Sequence, residues 1–222
     1  KAVSALQSLP DWCRLRGKPK RLCVEEPMEV AASAASRTMT VGLPKAVIGF
    51  KEVANDRSRK ALIEREISSD FLVEAVFGWG SRNFRILYEE GLVDDSFFAV
   101  AGVYPEIGFV SVGGDTPKPR MLLNRLKEMA RKSAEDLTEE QFVRVKRKFV
   151  GEFIKRFNTV ELLGSSCVSY MVNDLTLKDI WEALNEIDLR SLRKRASQLF
   201  EASPCSEAVI LPHNWEGERA EG

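Results

Sequence analysis

Two apolar runs, residues 97–104 and 107–112, meet at the tight turn Tyr104-Pro105-Glu106. A link that short permits only antiparallel pairing, because parallel neighbours need a crossover of a dozen or more residues. Helical periodicity brackets this hairpin. Before it, Ile63, Ile67, Phe71 and Ala75 follow the cap candidates Asn55-Asp56 and stop at Gly78-Trp79-Gly80. Ser81 then opens a shorter helix carrying Phe84, Leu87 and Tyr88, ended by Gly91. After the hairpin, Gly113-Gly114-Asp115-Thr116-Pro117 leads into a helix, with Asp115 or Thr116 as cap and Pro117 in the first turn. Leu122, Leu126 and Met129 stripe that helix, and Thr138-Glu139-Glu140-Gln141 has the spacing of a capping box for the next. There Phe142, Val145, Phe149, Phe153 and Phe157 share a face that a helix buries, while Arg144, Lys146, Arg147, Lys148, Lys155 and Arg156 lie largely elsewhere as a solvated surface.

Further helices are expected over 160–172, over 175–184 behind Thr176 as cap, and over 189–200. Strand patterns cover 37–41, 46–50 and 208–212. The order predicts an α+β fold, an antiparallel or mixed sheet with helices packed largely on one face. Residues 1–28 read as the end of a preceding domain, with Val3, Leu6 and Leu9 on one helical face up to Pro10, followed by a basic linker from Arg14 to Arg21. Residues 29–212 form the domain and 213–222 a flexible tail. The absence of an initiator methionine suggests a piece of a longer protein.

Composition narrows the function. Thirty-three basic and 33 acidic side chains cancel, which argues against a general polyanion binder and leaves an anion-binding module built on residues 14–21 and the basic helix as the least favoured reading. The one histidine, His213, is too few for a self-contained zinc hydrolase, whose metal usually takes two or three imidazoles, and its place in a tail past the last strand argues against Ser-His-Asp or Cys-His catalysis. Cys13, Cys23, Cys167 and Cys205 lack zinc-site spacing and read as thiols in a reducing, cytoplasmic compartment, a Cys13 to Cys23 bridge being the alternative. No apolar run is long enough to span a bilayer, so no membrane partner is expected. Gly113-Gly114 lacks the spacing of a phosphate loop and reads as a turn. The pairs Glu89-Glu90 and Asp94-Asp95 read as solvated helix-end charges, since neighbours in sequence point apart.

A family likeness enters here. Leu87-Tyr88-Glu89-Glu90-Gly91-Leu92-Val93-Asp94-Asp95-Ser96-Phe97, then Gly113-Gly114-Asp115-Thr116, then Leu137-Thr138-Glu139-Glu140-Gln141-Phe142 resemble, in order and spacing, the C-terminal domain of insulinase or pitrilysin-like zinc metallopeptidases, in particular the bacterial processing-peptidase-like subgroup. Glu25-Glu26-Pro27 and Pro44-Lys45-Ala46-Val47-Ile48-Gly49-Phe50-Lys51 are similar to the linker and first strand of that domain. The resemblance implies a two-layer sandwich, mostly antiparallel sheet with helices packed on one face, as a non-catalytic half-domain that walls a substrate chamber, contacts peptide substrate and assembles with the preceding domain and a homologous partner subunit. Zinc is expected in the missing N-terminal domain if the parent is active, since the family's H-x-x-E-H motif does not occur here. A purely structural assembly subunit is the alternative. In the family this half supplies an arginine and a tyrosine around a Gly-Leu. Aligned on Gly91-Leu92, those places hold Leu87 or Tyr88 and Asp94, so the pair is not transferred, and Arg85 needs a different geometry to replace it. No catalytic, cofactor-binding or metal residue is assigned to this chain; its substrate-binding residues stay unassigned, and no nucleic-acid partner is expected.

Overall fold

The computed structural model describes residues 25–216. The expected leading helix, the basic linker, Cys13, Cys23 and the last six residues lie outside the described residues. Five strands and seven α-helices follow one another as β1 (Ala34–Met39), β2 (Lys45–Val53), α1 (Arg59–Phe77), α2 (Arg82–Glu89), β3 (Phe98–Val103), β4 (Ile107–Asp115), α3 (Pro119–Asp136), α4 (Glu139–Lys155), α5 (Val160–Met171), α6 (Leu177–Glu186), α7 (Leu189–Ala196) and β5 (Cys205–Pro212). The sheet order is β1-β5-β2-β4-β3. The hairpin β3–β4 is antiparallel, as its short turn requires, and so are β2–β4 and β2–β5; only β1 and β5 run parallel.

Alternation along β2 decides which face is covered. Ala46, Ile48 and Phe50 point into the core, where they meet Val110 and Val112 of β4 and the helical layer. Helix α1 packs against β3 and β4, and α3 against β2 and β4. Phe50 and Phe77 both pack edge-on against Phe200, with ring centroids 4.9 and 6.1 Å away, and Phe71 stacks on Phe149 at 4.5 Å. Each fully buried phenylalanine contributes on the order of 2–3 kcal/mol through area removed from water. The opposite sheet face is open: Phe98, Val100 and Phe109 are exposed there, beside Gly49, Ser111 and Ala208. A methyl group added at Gly113 would stand 2.1 Å from the Ala46 carbonyl oxygen, so only glycine permits β4 to approach β2 at that point.

The boundaries differ from the sequence reading in instructive places. Helix α1 is capped by Ser58, whose hydroxyl accepts from the Ala61 amide at 3.2 Å, while Asp56 accepts from the Ser58 amide and shapes the approach. Helix α3 starts at Pro119, not Pro117, because Thr116 turns inward and its Oγ1 accepts from the Lys118 amide at 3.2 Å. The Thr138 capping box with Gln141 forms as expected, and α6 has the same box between Thr176 and Asp179. Phe157 leaves the buried stripe: α4 ends at Lys155, a 3-10 turn over Arg156–Asn158 breaks the i, i+4 register, and the ring is half exposed. The last helix widens instead, ending in a π-turn over Ser197–Glu201 that aims Leu199 and Phe200 inward.

Candidate functional site

An open groove of about 1530 Å³ lies between α2 and the α3–α4 helical hairpin. Its walls and floor come from the end of α1 (Ala75, Val76), from α2, from α3 beyond Arg125 and from the first half of α4. The glycines on either side of Trp79 end α1 and let the chain turn directly into α2, which leaves the indole 61% exposed at the groove rim. From there an aromatic row runs along α2: Trp79 stacks on Phe84 at 5.1 Å, and Phe84 lies 6.0 Å from Tyr88, itself 60% exposed. Phe84 also touches the buried ring of Phe97, so the row is anchored in the core.

Charge around the groove is sorted by position. Arg125 is held by Glu90, and Glu128 takes both Arg125 and Lys132. Glu74 is shared by Lys148 at 2.8 Å and Arg144 at 3.9 Å, and the second terminal nitrogen of Arg144 is buried with no hydrogen-bond partner. Arg82 and Arg85 on α2 and Arg147 on α4 are exposed and make no ion pair among the described residues. Asp136, Glu139 and Glu140 line the α3–α4 junction, the last two in the first turn of α4, where the helix dipole favours them. The Glu128 carboxyl is held below its usual range, chiefly by the Lys132 hydrogen bond and charge.

The positions singled out by sequence fall as follows. Leu87 is fully buried, so the place where the family resemblance calls for an arginine belongs to the core. Asp94 closes a turn by accepting from the Ser96 amide at 2.8 Å, and this hydrogen bonding with Ser96 holds its carboxyl below the usual range. Tyr88 and Arg85 do reach the groove, and Gly91, at φ +65°, turns the chain away from α2. Glu90 pairs with Arg125 and does not join Asp94 or Asp95 in one site. His213 is exposed just past β5, and Cys167 and Cys205 are unbridged thiols. Among the described residues no group of three or more histidine, cysteine or acidic side chains is placed to hold a metal ion, and one imidazole beyond β5 does not fit a catalytic zinc. Trp79 follows directly on the end of α1 and Arg147 is exposed, as their sequence positions imply, but the groove they share is not readable from those positions. The legible signal was a tryptophan between two glycines, followed at helical spacing by Phe84 and Tyr88.

Comparison with known proteins gives this geometry relatives. No family profile matches the chain. The uncharacterized zinc protease YmfH of Bacillus subtilis is 29% identical over 194 residues, 87% of this chain and 45% of its own length. A crystal structure described as an M16-like peptidase from Alicyclobacillus acidocaldarius superposes with a TM-score of 0.81 at 26% identity, over 90% of this chain and 49% of that one. The chain is similar to M16-like zinc peptidases. It spans about half the length of these relatives. The same fold recurs in the peptidase M16 inactive domain from Pseudomonas fluorescens, at a TM-score of 0.66 and 12% identity over 90% of this chain and 48% of that one. No helix among the described residues is long and apolar enough to cross a membrane.

Proposed function

We propose that this chain is the non-catalytic C-terminal domain, residues 29–212, of a zinc metallopeptidase-like protein, that it forms part of the wall of the substrate chamber, and that it holds polypeptide in the groove beside α2. The observation that carries this reading is the match to a single half of a zinc protease by a sequence with one histidine. Any zinc belongs to the preceding domain. The groove supports polypeptide as its occupant: about 1530 Å³ exceeds the roughly 300–1,000 Å³ of a small-molecule pocket. Its exposed Trp79 and Tyr88 and its arginines are the residue types enriched where polypeptides bind. The open sheet face, with Phe98, Val100 and Phe109, supplies a second apolar wall. The reading is tested by reloading chelator-treated protein with zinc and offering it an unfolded polypeptide. The expected result is no stoichiometric zinc and no cleavage; one zinc per chain with hydrolysis overturns the proposal.

Assembly with a companion domain is supported by α5. It is an apolar helix with one charged residue, Glu161, yet none of its residues is buried: Val160 is 83% exposed, Val168 63% and Met171 68%. A helix of that composition is ordinarily covered. We place the preceding half-domain or a homologous partner subunit against it. Val160→Glu with Val168→Glu is expected to leave the thermal stability of this chain within about 0.5 kcal/mol, because both side chains are exposed. The same pair is expected to abolish association with a preceding half-domain supplied on a separate chain, since each carboxylate would be buried without a partner. Undiminished association removes α5 from the interface. A purely structural assembly subunit is the second reading, favoured by Leu87 and Asp94 standing where the family resemblance places its arginine and tyrosine.

A further inference from the structure

The groove beside α2 is polar in a directional way. Arg82 and Arg85 on α2 and Arg147 on α4 present three exposed guanidinium groups with no ion-pair partner among the described residues, and Arg144 between them keeps one buried N–H group without a hydrogen bond. Carboxylates are gathered at the other end, on Asp136, Glu139 and Glu140 at the α3–α4 junction. The aromatic row of Trp79, Phe84 and Tyr88 runs along the same helix as Arg82 and Arg85 and faces the same groove. An unpaired guanidinium offers a rigid fork that matches a carboxylate with two parallel hydrogen bonds, and a neutral amide gains far less from it. An indole and a phenol with exposed faces take aromatic or apolar side chains with little loss of rotamer freedom.

We infer that this groove selects a polypeptide segment bearing both carboxylate and aromatic side chains, its acidic residues seated against Arg82, Arg85 and Arg147 and its rings on Trp79 and Tyr88. The inference rests on the reading of the groove as a polypeptide site and adds the chemistry of the segment. The acids at the α3–α4 junction repel a second carboxylate there, so the segment lies with its acidic end toward α2 and the middle of α4. Nucleic acid is the competing polyanion, but the same junction acids and the zero net charge of the chain oppose a long phosphate backbone.

The test measures binding of the 222-residue protein to a short labelled peptide of alternating glutamate and phenylalanine, to its glutamine counterpart, to its lysine counterpart and to a single-stranded oligonucleotide, by fluorescence anisotropy at two salt concentrations. The glutamate peptide is expected to bind about tenfold or more tightly than the glutamine peptide, with an affinity that falls as salt rises. The triple variant Arg82→Gln, Arg85→Gln and Arg147→Gln is expected to bring it down to the level of the glutamine peptide. Trp79→Ala is expected to weaken both. All four side chains are exposed, so unchanged thermal unfolding shows that the variants remain folded. Equal binding of glutamate and glutamine peptides, with both weakened by Trp79→Ala, overturns the acid selectivity and leaves the groove a polypeptide site. No binding of any peptide overturns both readings. Tighter binding of the lysine peptide or the oligonucleotide, or full retention by the triple variant, overturns the inference.

Discussion

Replacing Arg195 by alanine is expected to lower the unfolding free energy by about 3–5 kcal/mol. The guanidinium is only 5% exposed, deep between α7, α1 and β2. It donates to both carboxylate oxygens of Glu52, the second at 2.7 Å, and to the Ser69 hydroxyl at 2.8 Å. Ser69 in turn donates to the Arg65 carbonyl at 2.6 Å, and Arg65 lies 3.4 Å from Glu52 while donating to the Tyr104 carbonyl at 2.8 Å. One cluster thus ties the central strand, two helices and the hairpin turn. Burial raises the Glu52 carboxyl, but the hydrogen bond and charge of Arg195, with the charge of Arg65, outweigh it and hold the group below its usual range. Its contribution is therefore present at neutral pH and lost as pH falls through that lowered value. Removing Arg195 leaves Glu52 buried with half of its pairing and opens a cavity. Chemical denaturation measures the loss, and Arg195→Lys is expected to restore only part of it, because an ammonium cannot bond both oxygens in the forked geometry. A loss below about 1 kcal/mol, the value of an exposed pair, refutes this view of the cluster.

The second large effect is one of pH. Asp70 on α1 faces a small cavity lined by Glu66, Phe149, Glu152, Phe153, Arg156 and Tyr170. Burial, with the charges of Glu66 and Glu152 behind it, pushes its carboxyl from 3.8 to about 7 against the opposing charge of Arg156. Arg156 is itself steered toward the Tyr170 hydroxyl at 2.5 Å. Burial pushes Glu66 up as well. In the unfolded chain Asp70 ionises near its ordinary value, so between about pH 4 and pH 7 the folded state holds the extra proton. Stability due to this group is full below about pH 4 and is lost as pH rises through about 7. At about 1.4 kcal/mol per pH unit over that interval the loss approaches about 4 kcal/mol. Asp70→Asn is expected to flatten this slope and to make the protein more stable than the parent at pH 8 by about 2–4 kcal/mol. Thermal melts from pH 4 to pH 8 check both statements. A parent whose stability does not fall over that range, or a variant no more stable at pH 8, contradicts them.

Local chemistry was legible where neighbours in sequence settle it. The turn at Tyr104-Pro105-Glu106 forced the hairpin, and Thr138 with Gln141 and Ser81 with its helix behaved as caps because both partners of each hydrogen bond lie within one turn. The boundaries that moved did so where side chains chose tertiary partners. Thr116 went inward and left Lys118 as the N-cap of α3, and Phe157 swung out once the 3-10 turn broke the register. The groove was not legible, because Arg144 and Arg147 read only as part of the basic surface of α4, and nothing in the sequence placed α2 across from them around one cavity.

The sequence by itself determined an antiparallel hairpin, the helical faces, the α+β class and, through the order of its motifs, a likeness to one half of the zinc peptidases. Only the tertiary structure decided that the last strand, β5, inserts between β1 and β2, that Arg195 meets Glu52 across 143 residues of chain, and that Trp79, Arg82 and Arg147 share a groove while α5 stands uncovered. The reason is range. Caps, turns and amphipathic faces follow from bonds and contacts within a few residues, whereas a sheet order, a buried ion cluster or a groove exists only after packing brings distant segments together.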